Sequence, residues 1–213
     1  MHYARRASGY NSSVHEPLSP WIIRSAYSMG VFPMADGDDG EVRWYEPRRR
    51  ALFPITGIKL SRSTRKDALQ RGLIVRFDTA FEQVIRRCRR PIDNWINEEI
   101  IAAFVSVHKD GWAHCCEVWE GAQLVGGIYG LAIGSCFSAE SMFHTHQNES
   151  KIALWAMIEK CRDLGFTMFD AQVMNPHLES LGAFEISQSK YLDLLADAIH
   201  LPTEWSHSQT LQF

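Results

Sequence analysis

HCCEVWEGAQLVGGIYGLAIGSCFSAESMF, residues 114–143, decides the fold of this chain. Three runs of mainly apolar residues, each long enough for a strand, are separated by EGA at 120–122 and by IGS at 133–135. Short glycine-containing turns between such runs are typical of consecutive antiparallel strands. The stretch therefore predicts a three-stranded antiparallel meander at the centre of the second half of the chain.

The residues after the meander predict alternating helices and strands. ESKIALWAMIEKCRDLG (149–165) has apolar residues about three apart and ends at glycine, as an amphipathic helix does. TMFDAQVM (167–174) predicts a strand, and NPHLESLG (175–182) a short helix capped by Asn175. A further strand and a final helix, SQSKYLDLLADAI (187–199), follow. This order resembles the acetyltransferase fold called GNAT, in which the third meander strand and the strand after the helix splay apart around the acyl donor.

The first half predicts shorter elements. Ser19 and Pro20 begin a helix that Gly30 ends, and VFPMADGDDGEV (31–42) is typical of a loop. The remaining predictions are the strands RWYEP (43–47), ALFPI (51–55) and LIVRF (73–77), and the helices SRSTRKDALQRG (61–72), AFEQVIRRCRR (80–90) and NEEIIAAFVSVHKDG (97–111).

Size and composition narrow the class of protein. The chain has 213 residues, of which 46% are hydrophobic, enough for one large domain or two small ones. Its longest apolar stretch, 124–133, is interrupted by glycines and too short to cross a bilayer. MHYARRASGYNSS at the N-terminus lacks the apolar core of a signal peptide, so we expect a cytoplasmic protein. Five cysteines without a C-x-x-C pair argue against disulfides and structural zinc.

The net charge of −3 conceals a strong asymmetry. Residues 43–90 carry fourteen Lys and Arg against four Asp and Glu, a net charge of +10, whereas residues 91–213 have a net charge of −11. A basic block of this density is typical of a surface that binds a polyanion. The alternative is that these arginines pair with the acidic remainder of the same fold.

A glycine-rich loop is absent where an acetyl-CoA enzyme of the GNAT fold needs one. Such a loop exposes backbone N–H groups to the pyrophosphate at the start of the central helix. Here that segment is HTHQNESKIALW (144–155), which contains no glycine. We therefore expect a donor other than acetyl-CoA, and the basic block suggests a nucleic acid.

Several segments together resemble one family, the leucyl/phenylalanyl-tRNA–protein transferases. They cover nearly all of the chain after residue 17: LSPWIIRSAYSMGVFPM (18–34), WYEPRRRALFP (44–54), LSRS (60–63), NWIN (94–97), AHCCEVW (113–119), LVGGIYG (124–130), ESMF (140–143), ESKIAL (149–154), DAQ (170–172) and NPHLESLGA (175–183).

This resemblance implies both an architecture and an activity. It implies an α+β chain with a small N-terminal α/β domain, placed at residues 1–58, and a GNAT-like catalytic domain with a mixed central sheet, placed at 59–213. It implies transfer of Leu or Phe, and Met less well, from charged tRNA to the α-amino group of proteins that begin with Arg or Lys, which marks them for degradation. No metal or other cofactor is implied, and we expect a monomer.

The resemblance also assigns catalytic residues. Asp170 and Gln172 are two apart and share one side of the predicted strand, where two polar side chains need a reason. The expected picture is that Asp170 accepts a hydrogen bond from the Gln172 side-chain amide, while the Gln172 carbonyl aligns the attacking amine. Glu140, alternate with Met142 on the facing strand, is expected near the charged amine.

The remaining assignments follow in the same way. The resemblance places six residues around the aminoacyl group and terminal adenosine: Met34, Trp95, Ile128, Met142, Met157 and Asn175. Met34 and Ile128 depart from the residues most members have there, and HTH (144–146) replaces a more usual Ser-Arg. His144 and His146 are expected to be surface residues and not metal ligands. The predicted tRNA surface consists of Arg62, Arg65, Lys66 and Arg71, then Arg86, Arg87, Arg89 and Arg90.

Three alternative functions stay open at this point. An acetyl-CoA-dependent acetyltransferase would need the missing glycine loop. A tRNA-binding module without catalysis would not need the ESM and DAQ motifs. Leucyl transfer to acidic N-termini would suit the acidic second half of the chain less well than transfer to basic ones.

Overall fold

A computed structural model describes residues 4–6, 18–206 and 211–212. The prediction that the N-terminal segment MHYARRASGYNSS is not a signal peptide falls mostly on residues outside these ranges. The helices are α1 (Pro20–Ser28), α2 (Arg62–Arg71), α3 (Phe81–Arg87), α4 (Glu98–Lys109), α5 (Glu149–Asp163), α6 (Pro176–Ser180) and α7 (Gln188–Ala198). The strands are β1 (Ala4–Arg6), β2 (Phe32–Ala35), β3 (Val42–Pro47), β4 (Arg49–Phe53), β5 (Leu73–Phe77), β6 (Ala113–Glu120), β7 (Gln123–Ile133), β8 (Cys136–His144), β9 (Met168–Asp170), β10 (Phe184–Ser187) and β11 (Leu211–Gln212).

The larger sheet has eight strands in the order β10-β4-β9-β8-β7-β6-β5-β11. The predicted meander is confirmed as β6, β7 and β8, joined by turns at Gly121 and Gly134, where positive φ angles of 58° and 54° favour glycine. The α5 helix then crosses over to β9, which runs parallel to β8, while the other neighbours are antiparallel. The predicted mixed sheet is therefore present.

A smaller antiparallel sheet has the order β1-β3-β2. The prediction of a continuous loop over residues 31–42 was wrong at its start, since Phe32–Ala35 pairs with Val42–Tyr45 as a strand. Pairing with a distant partner overrides the local loop signal, which is confined to the Gly- and Asp-rich residues between these strands. The chain moves from the smaller to the larger sheet between Pro47 and Arg49, before the boundary predicted at residue 58, which stays a prediction.

Helices cover both faces of the larger sheet. The α1, α3 and α4 helices pack against β6 or β7 on one face, and α5 packs against β6, β7 and β8 on the other. Neighbouring residues of a strand accordingly belong to different apolar clusters. Cys115 and Tyr129 lie in the cluster under α3 and α4. Cys116 and Ile128 lie in the cluster under α5. All five cysteines are buried.

Helix starts are set locally, as the sequence indicates. The side chains of Ser19, Ser61 and Asn97 each accept a hydrogen bond from the backbone N–H three residues on, which caps α1, α2 and α4. The helix predicted over residues 80–90 is shorter than expected and ends at Arg87.

Candidate active site

Two adjacent strands near the centre of the larger sheet, β8 and β9, diverge from each other. The parallel pairing of β8 with β9 covers three residue pairs only, from Cys136–Met168 to Ser138–Asp170. Beyond them β8 continues to His144, whereas β9 ends. Glu140 and Gln172 lie on the two sides of this opening, and the Gln172 Nε2 donates to Glu140 Oε1 over 2.9 Å. The structure thus brings the ESM and DAQ motifs together across one gap.

The strand predicted over residues 167–174 was wrong in its length. Regular pairing stops at Asp170, and Gln172 adopts a left-handed backbone conformation with φ 61°. Asp170 and Gln172 therefore do not share the face of one strand. The turn points the Gln172 side chain across the gap instead.

A bulge in β8 determines where Glu140 points. Tyr129 pairs with Ser141 and Gly130 pairs with Ala139, so Glu140 is the extra residue between them. A Cβ on Gly130 would lie 2.4 Å from the Ser138 carbonyl oxygen, so only glycine permits this close approach. Bulges redirect side chains and interrupt the alternation of a strand. Although Glu140 and Met142 are two residues apart, their side chains have different surroundings: Glu140 interacts with Tyr27, while Met142 packs against the cluster under α5.

Glu140 is almost completely buried, with 8% of the residue exposed. Burial raises the pKa of its carboxyl group to about 8, although nearby Tyr27 and the hydrogen bond from Gln172 act in the opposite direction. The Tyr27 hydroxyl interacts with the carboxyl group without reaching hydrogen-bond geometry, and Glu140 Oε2 has no hydrogen-bond partner among the described residues. One oxygen of Glu140 is thus buried near Tyr27 without a hydrogen-bond partner among the described residues.

Asp170 is sequestered from the gap. Both carboxylate oxygens accept hydrogen bonds from Arg50, at 2.9 Å from Nε and 2.6 Å from Nη2. The hydroxyl groups of Ser138 and Tyr191 donate at 3.3 and 3.1 Å, and the Gln172 backbone N–H donates at 2.8 Å. The expected bond from the Gln172 side chain to Asp170 was wrong, because that side chain donates to Glu140.

The predicted pocket residues form two groups. Ile128 pairs directly with Met142, and both join Met157 in the apolar cluster under α5. Met34 and Trp95 pack against the cluster on the opposite face, where the Ala35 N–H donates to the Trp95 carbonyl at 3.0 Å.

Asn175 has a local structural contact. Its side-chain oxygen accepts from the Leu178 N–H at 2.9 Å and caps α6, as the sequence predicts.

The predicted basic surface divides into free and paired side chains. Arg62, Arg65 and Lys66 are exposed on α2, and no ion pair to them occurs within the described part of the chain. Arg71, in contrast, pairs with Asp67, Glu120 and Glu149, the last at 2.8 Å.

Most arginines in and just after α3 are also engaged within the protein, as Arg71 is. Arg86 pairs with Glu82 and Glu98, and Arg89 pairs with Asp38 and Glu98. Arg87 donates to the Leu124 carbonyl, which leaves Arg90 exposed without an ion pair to another described residue. The alternative of internal ion pairs therefore holds for Arg71, Arg86 and Arg89. These three are weaker candidates for tRNA contacts than Arg62, Arg65 and Lys66.

Histidine and carboxylate groups meet at one further place. Potential ligand atoms of Asp78, His108 and His114 lie within 4.8 Å of one another. The Asp78 carboxylate already accepts from the Trp205 indole N–H at 2.6 Å and the Cys115 N–H at 2.8 Å, and it contacts His114. Since its oxygens are engaged within the protein, we assign this group a structural role.

Three residues of the site were not predicted from the sequence: Arg50, Tyr191 and Tyr27. Arg50 was counted only as part of the basic block, yet it is 1% exposed. Its position at the start of the apolar strand ALF was the available signal, because a buried arginine requires a carboxylate partner. Tyr191 and Tyr27 carry no such signal, since each occupies an apolar position of an amphipathic helix.

The family models and the curated relatives that match this chain name the same family. A family model described as leucyl/phenylalanyl-tRNA protein transferase matches residues 52–196, and the model of that family's N-terminal domain matches residues 16–48. A leucyl/phenylalanyl-tRNA–protein transferase of Roseobacter denitrificans is 41% identical over 88% of this chain and 90% of its own. One of Chlorobaculum parvum is 43% identical over 83% and 93%. The crystal structure of FemX matches with a TM-score of 0.47 and 12% identity, over 81% of this chain and 70% of its own.

Proposed function

The chain belongs to the leucyl/phenylalanyl-tRNA–protein transferase family and is an aminoacyltransferase, and we propose that it transfers leucine or phenylalanine from charged tRNA to the α-amino group of proteins that begin with Arg or Lys. Methionine is a poorer donor in this proposal. The product would carry a bulky apolar N-terminal residue that marks it for degradation.

One observation carries the proposed mechanism: the Gln172 amide and the buried Glu140 carboxyl group meet across the gap between β8 and β9. Aminoacyl-tRNA is an activated ester, so the enzyme has to position an amine, keep it neutral and stabilise the tetrahedral oxyanion. No covalent nucleophile is needed for this reaction. Catalysis would then rest on orientation and proton transfer at a dry site.

Glu140 has the properties of the proton acceptor in this reaction. A group whose pKa lies close to the working pH both binds and releases protons readily, and burial raises the pKa of Glu140 to about 8. Glu140 Oε2, which has no hydrogen-bond partner among the described residues, would accept a proton from the α-ammonium group of the acceptor. The neutral amine would then attack the ester carbonyl, and the ribose hydroxyl of the tRNA would leave with the proton that Glu140 returns. Gln172, a very weak base, would align the amine while holding Glu140 Oε1.

The proposal includes a GNAT-like arrangement without the acetyl-CoA site. The buried Glu149 side chain lies at the start of α5, accepts from the His146 N–H at 2.9 Å and pairs with Arg71. A buried carboxylate at the start of this helix disfavours a bound phosphate there, which argues against acetyl-CoA as the donor.

The location and assembly of the protein complete the proposal. Among the residues that the structure describes, no helix is long and apolar enough to cross a membrane. We propose that the enzyme works in the cytoplasm as a monomer.

Single-turnover transfer tests the donor and the acceptor together. Labelled Leu-tRNA and Phe-tRNA are offered with peptides that begin with Arg, Lys, Asp or Ala. We expect transfer to the Arg and Lys peptides only. Transfer to the Asp peptide would favour acidic acceptors instead, and absence of transfer to every peptide would overturn the proposal.

Variants test the assigned residues in the same assay. We expect Glu140→Gln and Gln172→Ala to lower the transfer rate constant by about 10²-fold, as loss of a catalytic hydrogen-bonding group typically does. Gln123→Ala removes an exposed amide at the start of β7 and serves as the control, with an unchanged rate. Near-wild-type rates for both site variants would exclude this mechanism.

A further inference from the structure

Arg50 is the largest fully buried side chain of the described structure. It lies in β4, next to β9, and its guanidinium group forms a two-pronged pair with the Asp170 carboxylate. A bidentate pair of this kind fixes the relative orientation of both groups as well as their separation. Isolated from solvent, neither charge has another way to be neutralised.

The guanidinium group is held from every side. Its remaining Nη1 donates to the Gly30 carbonyl at 2.9 Å, just after α1. The rings of Tyr191 and Phe32 lie 4.4 and 5.0 Å from its central carbon. Lysine has neither the planar fork nor the flat face that these contacts require.

The Asp170 carboxylate, fixed by Arg50, in turn fixes the backbone of the turn that follows it. Asp170 Oδ1 accepts the Gln172 N–H at 2.8 Å, and Ala51, next to Arg50, forms two backbone hydrogen bonds with the turn, to the Ala171 N–H at 2.9 Å and the Gln172 carbonyl at 3.0 Å. A left-handed conformation at a residue other than glycine is uncommon and has an energetic cost. These hydrogen bonds compensate that cost at Gln172.

The direction of the Gln172 side chain therefore depends on a contact that lies behind the reaction centre. Arg50 does not reach the gap between β8 and β9, since its N–H groups donate to Asp170 and Gly30. We propose that Arg50 is a positioning residue for aminoacyl transfer: it fixes Asp170, which holds the turn at Gln172 and so places the Gln172 amide against Glu140. This inference rests on the function proposed above.

A double-mutant cycle in the single-turnover assay tests the inference. Arg50→Lys keeps the charge but loses the fork, and we expect a loss of about 10- to 100-fold in the transfer rate constant, as small misplacements of a catalytic group cause. The dissociation constant for Leu-tRNA should change less than about twofold, because no predicted tRNA contact is touched. In a Gln172→Ala background the same Arg50→Lys change should have no further effect, because the positioned group is already absent.

Two further variants keep the test decisive. Arg49→Lys changes the neighbouring exposed arginine, which pairs with Glu185, and should leave the rate unchanged. Tyr191→Phe removes one hydroxyl group that donates to the Asp170 carboxylate. It replaces Arg50→Lys in the test if that variant does not fold. It should lower the rate by about 3- to 10-fold, and again only when Gln172 is present.

Additive losses in the two backgrounds, or a full rate for both Arg50→Lys and Tyr191→Phe, would overturn the positioning role. An inactive wild-type enzyme would instead contradict the proposed function itself. The two failures are thus distinguished by the same experiment.

Discussion

Glu140 is buried at the edge of the gap between β8 and β9, and its burial raises the pKa of its carboxyl group to about 8. The bulge in β8 turns the side chain towards Tyr27 and Gln172, and the surrounding apolar atoms disfavour the charged form. The same burial has a consequence for folding. A carboxyl group whose pKa is higher in the folded than in the unfolded protein destabilises the fold when it ionises.

The stability of the protein should therefore depend on pH through Glu140. Because its pKa rises from an ordinary 4.5 to about 8 on folding, its contribution is fully present below pH 4.5 and is lost as the pH rises towards 8. The limiting slope is roughly 1.4 kcal/mol per pH unit. We expect Glu140→Gln to remove this slope. Denaturant unfolding of both proteins at pH 6 and pH 8 measures it, and equal pH dependences would contradict the assignment.

The sequence predicted Glu140, Asp170 and Gln172 as site residues but not the bonds among them. Asp170 binds Arg50, Ser138 and Tyr191, which are 120, 32 and 21 residues away along the chain. Such contacts depend on which strands become neighbours, and neither composition nor local periodicity contains that information. The opposite holds for Asn175, whose capping bond to Leu178 was predictable because both partners lie in one turn.

At the scale of elements, local sequence signals predicted the helix starts reliably, but they did not predict how the strands pair. Helix starts follow from caps within one turn of the chain, which explains why α1, α2 and α4 begin close to where the sequence indicates. The bulge in β8 and the early end of β9 depend on the strands beside them. Both irregularities lie at the candidate site, where the sheet opens.

Contact between α5 and β7 gives a test at this scale. Gly126 faces the first turn of α5, and a Cβ at this position would lie 2.4 Å from the Glu149 Cβ. Gly126→Ala should therefore destabilise the protein by about 1–3 kcal/mol through overpacking. Gly165→Ala, at a positive φ of 84° with open space around it, provides the comparison for conformational strain alone. Thermal unfolding of both variants measures the difference, and an unchanged melting temperature for Gly126→Ala would show that α5 can shift.

At the scale of the whole molecule, the charge asymmetry is partly neutralised within the fold. Arg71, Arg86 and Arg89 pair with carboxylates from the acidic part of the chain or the loop after β2. The exposed face of α2 keeps its charge and is the stronger candidate for tRNA. Charge counts along the sequence predicted an attractive surface, but only the fold distinguishes a paired arginine from a free one.

Salt dependence of tRNA binding tests this distinction. Each phosphate contact contributes roughly 0.7–0.9 to the slope of log K against log salt concentration. Arg62→Ala should lower the slope by about that amount, because the side chain is exposed and has no ion pair to another described residue. Arg86→Ala, whose arginine pairs with Glu82 and Glu98, should change it little. Equal slopes for both variants would contradict the assignment of α2.

The bond from Arg50 to the Gly30 carbonyl joins the end of α1 to β4, the second strand of the larger sheet. Opening the region that contains α1 and the smaller sheet would expose a buried ion pair, so partial unfolding there carries a penalty of about 3–5 kcal/mol. We therefore expect cooperative melting of the two sheets. Calorimetry should record one transition with equal van 't Hoff and calorimetric enthalpies, whereas a separate early transition would mean that the two sheets unfold independently.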